Sequence, residues 1–422
     1  MIELYDFQKG SVGDHNAVAL YWDMGLGKTY GGLDRAKQFG DPHVLIVCQK
    51  SKVQDWIDAV QDFYGETAMN LRVQKDFEKY KTGLHHCAVI NYDLLWRRME
   101  ELYKLRDYTL ILDESSLIKN PRAQRTKAAM RLKFNHLVLL SGTPCSGKYE
   151  ELITQCHLLG WKIDPETYID FYCNYVNMYI PGKWTPVKKF IGYKNVKHLK
   201  KRLTEHGADF KLSTEYLNLP VQNYYWKKVE APQNYKTFER TLVLEKENGD
   251  IITGDTPLVK LLRLRQLCNG ATKREALEDM VESTNDRLVI FYNFDEEKEV
   301  IKEVCKGRPL SYINGKEGVD LENYKEYSDS VTLCQYQAGS YGHNLQLANK
   351  MIFFSPPLSC EQYEQAQKRI HRIGQQLPCF YWRLCTKGTI EEKIYKTLKM
   401  RQDYTLKLFE GDYLKNDVHK CI

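Results

Sequence analysis

Short runs that are apolar at every position punctuate the first third of the chain. They are Ala17-Val18-Ala19-Leu20-Tyr21, Val44-Leu45-Ile46-Val47-Cys48, Cys87-Ala88-Val89-Ile90, Leu110-Ile111-Leu112 and Leu137-Val138-Leu139-Leu140. A strand exposed on one face alternates apolar and polar residues, so continuous runs predict strands buried on both faces. Between them Val53, Trp56, Ile57, Val60 and Phe63 recur at helical spacing, and Leu94 to Leu105 reads as a further helix. Strands alternating with helices predict an α/β lobe, its parallel sheet covered on both sides.

The texture changes at Trp161. As far as Phe210, aromatics (Tyr168, Phe171, Tyr172, Tyr175, Tyr179, Trp184, Phe190, Tyr193) interleave with lysines (Lys183, Lys188, Lys189, Lys194, Lys197, Lys200, Lys201), and Pro181, Gly182 and Pro186 interrupt them. This predicts a helical, aromatic and basic insertion over 161–210. Two readings stay open: the aromatics pack a small core under solvated lysines, or the lysines line a nucleic-acid track. A linker is expected over 213–235. The alternating pattern then returns, with a helix from Leu258 to Leu267 and strands at Leu288-Val289-Ile290-Phe291, Val331-Thr332-Leu333-Cys334 and Lys350-Met351-Ile352-Phe353-Phe354. Ile390 to Leu408 has the pattern of a charged amphipathic helix. The expected division is a first lobe over 1–212, the linker, and a second lobe over 236–422.

Bulk properties narrow the function classes. The 422 residues suit two or three domains, and 43% hydrophobic with 27% charged residues is an ordinary globular balance. No apolar run approaches the ~20 residues that span a bilayer. The start, Met1-Ile2-Glu3-Leu4-Tyr5-Asp6, lacks the regions of a signal peptide, so a cytoplasmic location is expected. The twelve cysteines include no Cys-x-x-Cys pair, which argues against zinc and redox dithiol chemistry. A net charge of +6 permits a nucleic-acid partner without demanding one.

The chemistry begins at Asp23-Met24-Gly25-Leu26-Gly27-Lys28-Thr29, between the first apolar run and a helix. A glycine-rich turn there aims backbone N–H groups at one spot, at the positive end of the helix dipole. Gly25 and Gly27 allow close approach of phosphate, Lys28 neutralises the outer phosphates, and Thr29 offers a hydroxyl to Mg2+. Trp22 stands where the general phosphate-loop pattern has glycine. Asp113 and Glu114 follow the strand Leu110-Ile111-Leu112, at the sheet edge where ligands sit. Asp113 is the candidate metal carboxylate, and Glu114 the group that orients and deprotonates an attacking water. Ser141-Gly142-Thr143-Pro144 follows the next strand and offers small hydroxyls for relaying nucleotide state. Farther on, Arg369 and Arg372 in Gln365-Ala366-Gln367-Lys368-Arg369-Ile370-His371-Arg372-Ile373-Gly374-Gln375 stand three apart, on one face of an expected helix. They supply guanidinium groups for a transferring phosphoryl group. His371 reads as a structural or a nucleotide-sensing residue.

Taken in order, DMGLGKT, LILDESSLIKN, LLSGTP, QAGSYGHNLQLAN and QAQKRIHRIGQ resemble the Swi/Snf-like branch of superfamily-two helicases. The HRIGQ ending and Ile118-Lys119-Asn120 are the most specific pieces, and the likeness runs from about Leu4 to Leu398. It implies two tandem RecA-like lobes and ATP with Mg2+ as cofactors. Lys28, Thr29, Asp113 and Glu114 would act from lobe one, Arg369 and Arg372 from lobe two. It further implies Tyr5 and Gln8 at the adenine, Met24 and Leu26 in the phosphate loop, and Gly342, Asn344 and Gln365 at the nucleotide. Lys50, Ser51, Tyr92, Ser141, Thr143, Gly339 and Ser340 would contact nucleic acid. The implied partner is double-stranded DNA, along which such enzymes move. A strand-separating helicase and a nucleotide-controlled DNA-binding switch are the competing readings. Pro357-Leu358-Ser359 stands where chromatin-remodelling members carry a Trp-Asn-Pro run, and the chain is more similar to compact bacteriophage-type members.

Overall fold

The computed structural model describes residues 3–145, 148–179, 187–241, 243–245, 251–253, 257–339 and 343–407. The chain divides into two compact units, the first built on Met1–Leu217 and the second on Asn218–Gln402.

In the first unit β1 (Ala17–Trp22) leads to α1 (Lys28–Phe39), β2 (His43–Cys48) to α2 (Val53–Tyr64), and β3 (Met69–Asn70) to α3 (Gln74–Lys81). β4 (Cys87–Asn91) is followed by two short helices, α4 (Tyr92–Leu95) and α5 (Met99–Leu102), instead of the single helix expected from Leu94 to Leu105. The break places the Arg98 guanidinium over the Phe77 ring at 4.8 Å. β5 (Tyr108–Leu112), α6 (Gln124–Arg131), β6 (His136–Leu140) and α7 (Ile153–Leu158) complete the alternation.

The segment expected to be a helical insertion is mixed. It holds α8 (Pro165–Tyr172), an antiparallel hairpin of β7 (Cys173–Met178) and β8 (Val187–Tyr193), α9 (Val196–Glu205) and β9 (Ala208–Lys211). β9 pairs in parallel with β1, Ala19 opposite Ala208, so the end of the segment belongs to the main sheet. Trp161, Tyr168, Tyr172, Leu199 and Leu203 join the core of the lobe. For these aromatics the packing reading holds. Lys194, Lys197 and Lys201 are exposed, while Lys183 and the side chains of Lys188 and Lys189 lie outside the described residues.

The sheet order is β3-β4-β2-β5-β6-β1-β9, with every neighbouring pair parallel. Alternate side chains of these strands enter two cores. Val18, Leu20, Trp22, Ile46 and Val138 meet Leu33, Ala36, Trp56 and Val60 of α1 and α2. Ala19, Tyr21, Leu45, Leu110 and Leu139 meet Phe77, Leu95, Leu102, Ala129 and Tyr168 on the opposite face. That double burial is why the strands carry no polar alternation.

After α10 (Ser213–Tyr216) the second unit starts with β10 (Gln222–Val229). Residues 213–235, expected as linker, therefore include an edge strand that pairs along its whole length with β18. The order continues through α11 (Gln233–Thr241), a small hairpin of β11 (Val243–Glu245) and β12 (Ile251–Thr253), α12 (Pro257–Leu267) and α13 (Ala271–Glu282). Then come β13 (Leu288–Tyr292), α14 (Asp295–Val304), β14 (Leu310–Asn314), β15 (Gly318–Asp320) and α15 (Glu322–Glu326). β16 (Val331–Gln335), α16 (Tyr336–Gly339), β17 (Lys350–Phe353), α17 (Cys360–Gln367), β18 (Cys379–Thr386) and α18 (Ile390–Lys407) follow, and the unit ends within α18, at Gln402. The sheet order is β10-β18-β17-β13-β16-β14-β15, parallel except for the terminal β14–β15 pair. Each unit is thus a parallel-dominated sheet flanked by helices, the α/β pattern expected for two RecA-like lobes.

Candidate active site

β1, β6 and β5 lie side by side in the first sheet, with Leu20 opposite Leu140 and Leu112 opposite Leu139. Parallel pairing brings the three following loops to one edge. They carry Asp23–Thr29, Ser141–Pro144 and Asp113–Glu114, so segments far apart in sequence share a site because of strand order alone.

Gly25 and Gly27 both adopt positive φ, 87° and 70°, and Gly27 caps the N-terminus of α1. At Gly27 a side chain is excluded twice, by φ and by a built Cβ falling 2.1 Å from Gln8 Nε2. Gln8 is 4% exposed and donates to the Leu26 carbonyl at 3.0 Å, while its Oε1 accepts from the Tyr5 backbone at 2.9 Å. The N-terminal segment is thereby fastened to the phosphate loop. The Tyr5 ring remains exposed and stacks on Phe7 at 5.6 Å.

Lys28 Nζ donates to the carbonyls of Trp22 (2.9 Å) and Asp23 (3.2 Å), folded back over its own loop. Gly142 comes close to it, since a Cβ there would lie 3.3 Å from Lys28 Nζ and 3.1 Å from Met24. Asp23 is committed to structure: it accepts from Ser213 Oγ at 2.5 Å and from the Met24 backbone at 2.9 Å.

Both carboxylate oxygens of Asp113 are positioned. Oδ1 accepts from the Glu114 backbone at 3.0 Å and Oδ2 from the indole N–H of Trp56 at 2.8 Å. Burial holds this carboxyl above its ordinary pKa, opposed by the Trp56 hydrogen bond and by the nearby charges of Lys52 and Lys28. Glu114 has φ 50° and ψ 58°, a left-handed conformation that a residue with a side chain rarely adopts. Its Oε1 accepts from Ser141 Oγ at 3.2 Å and Ser116 Oγ at 3.4 Å, and the Thr143 N–H in turn donates to Ser141 Oγ at 3.1 Å. The acidic loop and the Ser-Gly-Thr-Pro loop are therefore hydrogen-bonded through the very carboxylate expected to act as base.

Two residues of this arrangement carry no motif. Trp56 reads in the sequence as a core position of a helix, and its bond to Asp113 is a tertiary contact. Gln155, fully buried, accepts from Tyr21 OH at 3.0 Å and Ser115 Oγ at 2.8 Å, and donates to the Pro144 carbonyl at 2.7 Å. One amide so ties β1, the acidic loop and the Ser-Gly-Thr-Pro loop together.

Two residues expected to contact nucleic acid have buried side chains with partners inside the lobe. Tyr92 is 3% exposed, and its hydroxyl donates to the Asp113 carbonyl at 2.8 Å, so it supports the acidic loop from beneath. Ser141 is fully buried with its hydroxyl on Glu114, which makes it part of the carboxylate network. Thr143 is 8% exposed, with its hydroxyl unpartnered among the described residues. Lys50 and Ser51 are exposed in a turn directly after β2.

In the second unit the expected helix through Arg369 and Arg372 ends at Gln367. Tertiary partners take the carbonyls that would have continued it. Arg369 O accepts from the Leu345 N–H at 3.0 Å, and Ile370 O from Gln375 Nε2 at 3.1 Å. Gln375 also donates to the carbonyls of Gln346 and Ala348, which fixes the turn. Arg369 and Arg372 thus stand on an ordered turn, not on a helix face. Burial lowers the Arg372 pKa, and no carboxylate pairs with it among the described residues. His371 is 5% exposed and its Nε2 lies 2.8 Å from the Pro220 carbonyl, which favours the structural reading. Gln365 is 2% exposed and donates along α17 to Glu361 at 3.3 Å, and its Oε1 is unpartnered among the described residues. Asn344 is exposed and Gly339 closes α16, while Ser340 and Gly342 lie outside the described residues.

Glu66, His86 and Cys87 form the group among the described residues with metal-ligand proximity. Glu66 and His86 are hydrogen-bonded to each other at 2.7 Å and burial pushes the Cys87 thiol up, so the group reads as a hydrogen-bonded carboxylate–imidazole pair beside a neutral thiol. No helix among the described residues is long and apolar enough to cross a membrane.

Comparison with known proteins adds a second line of observation. The family model of the SNF2-related domain matches residues 11–272, and that of the helicase conserved C-terminal domain matches residues 272–374. Among curated proteins, the SWI/SNF-related matrix-associated actin-dependent regulator of chromatin subfamily A-like protein 1 of Drosophila melanogaster is 25% identical over 404 residues, covering 92% of this chain and 53% of that protein. The putative ATP-dependent helicase/translocase YwqA of Bacillus subtilis is 24% identical, over 92% of this chain and 46% of its own length. DNA repair protein rhp54 of Schizosaccharomyces pombe is 24% identical, over 92% and 55%. The chain spans about half the length of these curated relatives. Among solved structures, the Sulfolobus solfataricus SWI2/SNF2 ATPase core in complex with dsDNA aligns over 97% of this chain and 94% of that one, at 20% identity and a TM-score of 0.46.

Proposed function

Because the chain belongs to the SNF2-related domain family, we propose that it is an ATP-dependent motor that moves along double-stranded DNA. The observation that carries the reading is the joining of Glu114 to Ser141 beside Lys28 and Asp113, at one edge of one parallel sheet.

The residues fit a magnesium nucleotide. Gly142 leaves room beside Lys28 that a Cβ would fill, and Lys28 can exchange its bonds to two backbone carbonyls for phosphate. Thr29 and Asp113 offer the hard oxygens that Mg2+ prefers, and the ion would neutralise phosphate charge there. Gln8 holds the phosphate loop from the N-terminal side and leaves the Tyr5 ring exposed to meet adenine. Glu114, kept in its strained conformation by its hydroxyl partners, orients the attacking water and takes its proton. Arg369 and Arg372 act on the transferring phosphoryl group from lobe two, with Gln365, Gly342 and Asn344 near the nucleotide. Exposed Lys50 and Ser51, with the Gly339–Ser340 segment, contact the DNA backbone.

The named activities of the relatives, helicase/translocase and DNA repair, agree with this assignment. Bacteriophage-type membership, supported by Pro357-Leu358-Ser359 alone, and a cytoplasmic location belong to the same proposal. The test is ATP hydrolysis with blunt duplex, with single strands of equal length, and with no nucleic acid. Duplex should stimulate most. Stimulation by single strands alone would favour a strand-separating helicase, and hydrolysis absent under every condition would favour a nucleotide-controlled switch.

A further inference from the structure

Outside the nucleotide site, the first unit carries a groove of ≈ 560 Å³ lined by α5, α6 and α7. Its apolar wall includes Trp96, Met99, Met130 and Ile153. Trp96 is 44% and Met130 42% exposed, large apolar surface that a protein normally covers. Its rim is cationic. Lys127 and Arg131, one helical turn apart on α6, both line it. The Arg97 guanidinium lies over the Trp96 ring at 5.4 Å. From Pro121 to Lys133 the chain holds Arg122, Arg125, Lys127, Arg131 and Lys133 and no carboxylate. The one acid in the lining, Glu150, already accepts the Tyr193 hydroxyl at 2.7 Å.

We propose that this groove docks an acidic amphipathic helix of a partner protein, with apolar side chains on the Trp96–Met130 floor and carboxylates against Lys127 and Arg131. The charge pattern selects an anion. The concave apolar floor selects one that brings apolar side chains with it, the arrangement of a helix lying in a groove. A nucleic-acid backbone would meet the cations but would leave its phosphates facing Trp96, Met99 and Ile153, where they lose water without a partner. The groove shares none of its lining residues with the nucleotide site, so the inference stands apart from the proposed activity.

Fluorescence anisotropy with the full chain tests it. The probe is a labelled peptide of about 18 residues with Leu and Phe at i, i+4 and i+7 and Glu elsewhere, long enough to form a helix on binding. Its controls are a peptide of the same composition with that spacing broken, and a labelled blunt DNA duplex. The patterned peptide should bind more tightly than the scrambled one. Lys127→Glu with Arg131→Glu should weaken it about 10-fold or more, and Met130→Asp should do so independently, with duplex affinity unchanged. Lys127, Arg131 and Met130 are exposed, and unaltered thermal melting confirms that each variant is folded. Three results would each overturn the proposal. They are equal binding of the scrambled peptide, no effect of Met130→Asp, and loss of duplex affinity on charge reversal, the last assigning the surface to nucleic acid.

Discussion

The indole N–H of Trp56 donates to Asp113 Oδ2 at 2.8 Å, a contact between the middle of one helix and the acidic loop 57 residues away. With Oδ1 held by the Glu114 backbone, the carboxylate has a single orientation. Trp56→Phe keeps an aromatic ring in the core and removes only the donor. The concentration of Mg2+ needed for half-maximal ATP hydrolysis should rise several-fold while the rate at saturating Mg2+ changes little. Unfolding in denaturant should show a loss of about 1 kcal/mol for the unpaired oxygen. An unchanged Mg2+ requirement would confine Trp56 to packing.

Gln155 predicts a stability effect far from any motif. Gln155→Ala removes the partner of Tyr21, Ser115 and the Pro144 carbonyl together. Each group left buried without a partner costs about 1–3 kcal/mol, though not additively. The unfolding free energy of the variant should fall by more than one such increment, and ATP hydrolysis should drop because the loops that carry Glu114 and Ser141 lose the amide that joins them. Wild-type stability would show that water replaces the amide.

The roles within the nucleotide site separate by variant. Lys28→Ala should weaken ATP binding and abolish turnover, because no other side-chain cation belongs to the phosphate loop. Glu114→Gln keeps shape and hydrogen bonding but cannot accept a proton, so it should bind ATP and slow hydrolysis by roughly 10²–10⁴-fold. Nucleotide binding followed by a fluorescent ATP analogue, alongside phosphate release, distinguishes the two. Substantial turnover by the Gln variant would remove Glu114 from the role of base.

Arg369 and Arg372 give a contrast between hydrolysis and grip. Lysine preserves charge but loses the planar fork of guanidinium. Each Arg→Lys change should reduce ATP hydrolysis, within the roughly 10³–10⁵-fold range of such residues, and leave duplex affinity close to wild type. Near-normal hydrolysis by both variants would show that these arginines serve the turn that holds them.

The parts of this molecule that were legible in its sequence are those decided by local pattern. Strands β1, β2, β4, β5, β6 and β13 are buried on both faces and carry unbroken apolar runs, so each was visible. β9 and β10 were not, because they are edge strands written in lysines and aromatics, such as Tyr224-Tyr225-Trp226-Lys227-Lys228. The phosphate loop and the acidic pair showed themselves as contiguous motifs. Trp56, Gln155 and the inward turn of Tyr92 depend on partners that only strand order brings near. The spacing of Arg369 and Arg372 suits a helix, and nothing local announces that Leu345 and Gln375 take up the carbonyls on which that helix would depend.

The lysines of the mixed segment after Trp161 offer a test of DNA contact. If Lys188, Lys189, Lys200 and Lys201 hold phosphates, neutralising all four should reduce the salt slope of duplex binding by about one unit for each phosphate released. Binding measured across a salt series gives the answer, and an unchanged slope means that these lysines are solvated.

Displacement of a third strand from a DNA triplex is the most direct measure of a motor tracking an intact duplex. The enzyme should strip the third strand in an ATP-dependent way, Glu114→Gln should bind the same substrate without stripping it, and a forked duplex should stay paired under identical conditions. Unwinding of the fork with no ATP-dependent triplex displacement would contradict the account.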